Sequence, residues 1–134
     1  LAQVQFPGRQ GGERANSGEA MTRRARRTDT TQAAIVKGLR DAGWGVRVYS
    51  SAGDGVPDLR VYKPIVGMCH VGIWMDAKSA GGKLRKSQIE FARINPESFF
   101  IAPVTTEYAI QMAYKASAGL IARGRWYVED GVKE

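Results

Sequence analysis

Apolar residues recur along this chain with two periods, one helical and one alternating. Ile35, Val36, Leu39 and Ala42 share one helical face, and Gly43 closes that segment. Ahead of them, Asp29-Thr30-Thr31-Gln32 reads as an N-cap with Gln at the third helical position, a capping box. Residues 44–50 alternate as a strand, and Ser51 to Pro57, with Gly53-Asp54-Gly55 inside it, is a loop. Asp58 to Tyr62 is a short second strand, Lys63 to Gly67 a turn, and Met68 to Lys78 a third strand with the strongest alternation in the chain. Gly81-Gly82 breaks it. Lys83 to Ile94 is an amphipathic helix stopped by Asn95-Pro96. Phe99 to Ala102 is an apolar strand, Thr105 to Ala118 a helix capped by Thr105 or Thr106, and Trp126 to Val128 a final edge strand. The predicted order is α-β-β-β-α-β-α with a closing β: an α/β chain whose mixed sheet is flanked by helices.

Composition adjusts this picture in few places. The 134 residues suit one domain, and 43% hydrophobic with 25% charged residues is an ordinary globular balance. No apolar run approaches the roughly 20 residues of a membrane helix, and no stretch reads as a secretory signal. Cys69 stands alone, so no intramolecular disulfide is available. A reducing, cytoplasmic setting is the expectation. His70 is the only histidine, which excludes catalysis built on several histidines. The net charge is +7, a balance that favours polyanionic partners, chiefly nucleic acid. Residues 1–28 read as a disordered basic arm, with Arg23, Arg24, Arg26 and Arg27 as its phosphate-binding or merely solvated run. The folded domain is expected over 29–134. Met21 follows twenty residues that carry no fold signal, and translation starting there would make residues 1–20 an extension.

The chemistry concentrates in two segments. Strand alternation puts Val71, Ile73, Met75 and Ala77 on one face and His70, Trp74, Asp76 and Lys78 on the other. Asp76 and Lys78 therefore point the same way. Asp58 opens the neighbouring strand in Gly55-Val56-Pro57-Asp58-Leu59, and a hairpin brings it beside Asp76. Two carboxylates repel unless a cation lies between them. Mg²⁺ takes oxygen ligands, keeps several waters and binds through one or two carboxylates plus phosphate. Lys78 is placed to orient a water or stabilise a phosphorane-like charge. A lone Asp-x-Lys is ordinarily an exposed ion pair on a strand face; Gly-x-Pro-Asp at the start of the preceding strand shifts the reading to a site.

With Asp76-Ala77-Lys78 and Gly82-Lys83-Leu84-Arg85-Lys86-Ser87-Gln88, these residues resemble the PD-(D/E)XK nuclease superfamily over roughly 29–115, most of all its small VRR-NUC-like and Holliday-junction-resolvase-like phage members. The resemblance implies a restriction-endonuclease-like core and Mg²⁺- or Mn²⁺-dependent hydrolysis of phosphodiester bonds that leaves a 5′-phosphate. It implies Asp58, Asp76 and the Ala77 carbonyl as metal ligands, Lys78 as the catalytic lysine and Gln88 as the glutamine of the following helix. It implies DNA as substrate, branched DNA of junction or flap type included, and a homodimer where cutting is symmetric. Two departures stand out. Asp76 occupies a place usually held by Glu. Gln32 stands where many relatives carry a helical Glu aimed at the metal; its alternative is the capping box. Gln88, on the face of Leu84, Phe91 and Ala92, either touches the site or is a satisfied structural amide. Lys83, Arg85 and Lys86 either track a phosphate backbone or form a solvated helix face. Trp74 either packs beneath the site or stacks a base. Cys69 and His70 read as structural. The rival functions are a sequence-specific restriction-type endonuclease and a non-catalytic nucleic-acid-binding module that has kept the fold.

Overall fold

The two periods resolve into three helices and five strands in the computed structural model, which describes residues 19–50, 52–63 and 72–132. In chain order these are α1 (Glu19–Asp41), β1 (Gly45–Val48), β2 (Leu59–Tyr62), β3 (Ile73–Met75), α2 (Lys86–Ile94), β4 (Phe99–Ala102), α3 (Thr106–Ser117) and β5 (Trp126–Val128). The strands form one mixed sheet in the order β1-β2-β3-β4-β5. The first three run as an antiparallel meander, and β3, β4 and β5 are mutually parallel, joined through α2 and α3. Helical connections are what parallel neighbours require.

One face of the sheet carries Val46, Leu59, Val61, Ile73, Met75, Phe99 and Ile101, packed against Ile35, Val36 and Leu39 of α1 and Ala109, Met112 and Ala113 of α3. The other face carries Trp74, Phe100 and Trp126, and Phe91 of α2 meets Trp74 and Phe100 edge-on. All four residues of β4 are buried. That explains its uninterrupted Phe-Phe-Ile-Ala sequence, since a strand covered on both faces has no polar side to alternate with.

Local chemistry sets several element ends where the sequence predicts them. Gly43 adopts φ +96° and lets the Trp44 amide return to the Leu39 carbonyl, closing α1. Thr105 caps α3 by accepting from the Tyr108 amide, and Glu129, just beyond β5, accepts from the Val104 and Thr105 amides and so clamps the start of that helix.

Three expectations are corrected. The helix predicted to begin near Asp29 runs back to Glu19, so the last ten residues of the supposed arm are helical and Asp29 lies inside α1. Residues 19–37 contain neither Gly nor Pro and are rich in the helix formers Ala and Arg, so nothing stops the helix there. The helix predicted from Lys83 begins at Lys86, because Arg85 is held in an extended conformation (φ −84°, ψ 157°) and serves as N-cap. The third strand, expected to run to Lys78, pairs with β2 only as far as Met75. Residues 1–18, and Cys69, His70 and the rest of 64–71, lie outside the described residues. Among the described residues no helix is long and apolar enough to cross a membrane.

Candidate functional site

The loop after β1, the start of β2, the end of β3 and the segment before α2 converge on a cavity of about 590 Å³ lined by Asp58, Asp76, Ala77 and Lys78, with Gln32 and Ser50 on one side and Lys83 and Arg85 on another. The sequence pairs Asp76 with Lys78 through alternation, and Asp76 Oδ2 indeed lies 2.9 Å from Lys78 Nζ. Asp76 is only 4% exposed. Its other oxygen, Oδ1, accepts from the Asp58 amide at 3.1 Å. A carboxylate offers about four lone-pair sites, so these two contacts anchor Asp76, a cavity-lining residue, without exhausting its acceptor capacity.

The backbone around Ala77 is arranged for the same purpose. Asp76 and Lys78 donate their amides to the Ile101 and Pro103 carbonyls, both at 2.9 Å, extending the ladder with β4 beyond Met75. The intervening Ala77 must turn its own N–H and C=O toward the β2 side. Continuing the Leu59–Met75 register by two residues sets Pro57 opposite Ala77. Proline has no N–H to donate. The Ala77 carbonyl thus receives no ladder bond from that position, which gives the Pro of Gly-Val-Pro-Asp a physical role. Two carboxylates and one carbonyl make an all-oxygen donor set that suits a hard cation such as Mg²⁺ or Mn²⁺, with water and a phosphate to complete six ligands. Among the described residues no group of three His, Cys, Asp or Glu side chains comes together.

Gln88 is fully buried. Its Oε1 accepts from Lys78 Nζ at 3.2 Å and from the Arg85 amide at 3.0 Å. Arginine carries no acceptor, so only this returning half of a capping box forms at α2. Both donors fix which end of the amide is oxygen. Its Nε2 has no partner among the described residues, a cost that a purely structural amide would not be expected to carry. Of the two readings open for Gln88, the geometry puts it in contact with the lysine of the site.

Gln32 also lines the cavity, and its Nε2 donates to Ser50 Oγ at 3.1 Å. The capping-box reading fails, because α1 has no N-terminus near Asp29 for it to cap. Ser50 had no signal in the sequence: it is a polar residue at a strand end, brought in by the docking of α1 against β1. Gln32→Glu would add a third carboxylate to the cavity. Titration calorimetry with Mg²⁺, and with Ca²⁺ as a non-hydrolytic stand-in, is expected to show binding tightened by roughly tenfold, about 1.4 kcal/mol. Unchanged isotherms would remove Gln32 from the metal environment.

The basic candidates divide. Lys83 and Arg85 line the cavity, whereas Lys86 is exposed on α2 and does not. Arg23, Arg24, Arg26 and Arg27 fall within α1. Trp74 packs between Tyr49 (5.7 Å between ring centroids) and Phe91 (5.6 Å), with the Arg60 guanidinium 4.7 Å above its ring. Arg60 was not among the sequence candidates. Comparison with protein-family models, curated proteins and solved structures finds no match to this chain.

Proposed function

We propose that this chain is a metal-dependent endonuclease that hydrolyses phosphodiester bonds in DNA, built on a restriction-endonuclease-like core of the PD-(D/E)XK type. The observation that carries the reading is the meeting of Asp58, Asp76 and Lys78 in one cavity, with Asp76 tied to both of the others. Asp58, Asp76 and the Ala77 carbonyl would hold the metal. When bound, Mg²⁺ or Mn²⁺ supplies a water of lowered pKa and neutralises charge on the phosphate. Lys78 uses two of its three donors on Asp76 and Gln88. The third is free to face the reacting phosphate or its attacking water, where a fixed cation stabilises developing negative charge. Gln88 positions that ammonium. Lys83 and Arg85, at the cavity, take flanking phosphates. A branched substrate cut symmetrically would require two copies of the chain.

Incubation with duplex, single-stranded, flap and four-way-junction DNA, with Mg²⁺, Mn²⁺ or EDTA, tests this. Metal-dependent cleavage of at least one of these is expected, and no cleavage of any of them would sink the reading. One observation favours a second reading, a non-catalytic nucleic-acid-binding module. Both Asp76 oxygens are already engaged within the protein, and no third acid joins the pair among the described residues. That reading expects DNA binding that is indifferent to Mg²⁺.

A further inference from the structure

The sheet register lines up a row of side chains that the catalytic reading does not use. Arg47 on β1 stands opposite Arg60 on β2, and Arg60 opposite Trp74 on β3. Because side chains alternate, Trp74 lies on the same face as Asp76, and Arg60 on the same face as Asp58. The row is one step of two residues, about 7 Å, from the carboxylates. Tyr49, half-buried against Trp74, stands between the row and the cavity.

Like charges directly opposite one another weaken a sheet. Here neither arginine has a carboxylate partner among the described residues, and the neighbouring stretch 64–71 contains no Asp or Glu. Arg47 is exposed. Arg60 is partly buried over Trp74, so its planar guanidinium is held in place with its N–H donors available. Among the described residues α2 reaches the row only at its Trp74 end, through Phe91, and α1 and α3 lie on the other face of the sheet, so the arginine end of the row carries no helix. Two unpaired cations set side by side next to a phosphodiester site are complementary to the neighbouring phosphates of the same strand.

We infer that Arg47 and Arg60 form a phosphate-binding track that guides the nucleic-acid strand into the Asp58–Asp76 cavity. The inference rests on the nuclease reading for its direction, but its test does not depend on cleavage. Arginine suits the role because its fork of donors matches phosphate geometry and is always charged. Contacts of this kind position the strand and read no sequence.

Fluorescence anisotropy of a labelled oligonucleotide, single-stranded and duplex, is measured against KCl with the full chain in Ca²⁺. Each of Arg47→Ala and Arg60→Ala should lower affinity and reduce the slope of log affinity against log salt by about 0.7 for single strands and about 0.9 for duplex. The double variant should lose about twice as much, and Arg47→Lys should retain the slope. Lys115→Ala, on α3 across the sheet, should match wild type. Arg47→Ala should melt no lower than wild type, because it relieves a like-charge pair. An unchanged slope in the double variant, or a lowered melting temperature for Arg47→Ala, overturns the inference. Hydrolysis of bis(p-nitrophenyl) phosphate, too small to reach the track, separates the two claims. If the variants hydrolyse it like wild type while losing oligonucleotide affinity, both readings stand. If wild type hydrolyses neither this diester nor DNA, the nuclease reading falls and the binding slopes still judge the track.

Discussion

Asp76→Asn is expected to leave the protein folded and to lower DNA cleavage on the order of a thousandfold, the scale seen when one preorganised charge-stabilising group is lost from an active site. The asparagine keeps an oxygen to accept from the Asp58 amide, so the junction of β2 and β3 stays closed, and Lys78 keeps its bond to Gln88. What disappears is a negative charge in the cavity that would hold the metal. Lys78→Met should behave differently. The Asp76 side chain is 5% exposed and that of Lys78 13%, so removing the lysine leaves a buried carboxylate with only an amide for company. Breaking a buried pair from one side is strongly destabilising, and we expect a loss of about 3 kcal/mol, or roughly 10 °C in melting temperature for a chain of this size, together with the loss of cleavage. Circular-dichroism melts beside cleavage assays separate the two effects. Wild-type cleavage by Asp76→Asn would remove this residue from the chemistry, and an undiminished melting temperature for Lys78→Met would show that the pair contributes nothing to the fold.

Gly55→Ala should be strongly destabilising. Gly55 sits at φ +81°, and a Cβ built there would lie 2.1 Å from the Ser87 carbonyl oxygen, in the backbone of α2. A left-handed non-glycine residue costs about 1–2 kcal/mol by itself, and the clash cannot be relieved by a rotamer change because the obstacle is main chain. We expect about 3 kcal/mol or more in total, and a cleavage defect beyond the stability loss because Asp58 is three residues away. Gly53 is the internal control. Its φ is +76°, but a Cβ there meets nothing within 4 Å, so Gly53→Ala should cost only about 1 kcal/mol. The comparison is read from thermal melts of the two variants; equal melting temperatures would mean that the loop does not seat against α2.

These two experiments fall on residues that the sequence singled out for different reasons and with unequal completeness. Gly55 entered as part of a motif, and the sequence offered no reason for it beyond turn formation. The close approach to Ser87 exists only because the loop and α2 are brought together by the sheet. The sequence of α2 is compatible with two roles for Gln88, and only the tertiary structure brings Lys78 and the Arg85 amide to its oxygen. Arg60 and Arg47 were two scattered basic residues until the pairing of β1 with β2 set them side by side.

By itself the sequence determined the features that depend on neighbours within a few residues. The two-residue period of an extended chain sends Asp76 and Lys78 to one face whatever surrounds them. The side chain of Thr105 accepts from the Tyr108 amide three residues on, so α3 begins where the sequence predicts, and the tertiary contact with Glu129 adds to that local cap. The apolar run Phe99 to Ala102 marks a strand by its composition alone, although the cover on its two faces comes from distant helices. Tertiary structure alone decided what lies across gaps of many residues: that α1 delivers Gln32 into the cavity beside Ser50, that Pro57 stands opposite the Ala77 carbonyl, and that Arg47, Arg60 and Trp74 form one row. Side-chain direction is a property of local backbone geometry, whereas proximity between elements depends on how strands pair and helices dock, and a linear pattern of residues carries no measure of that distance.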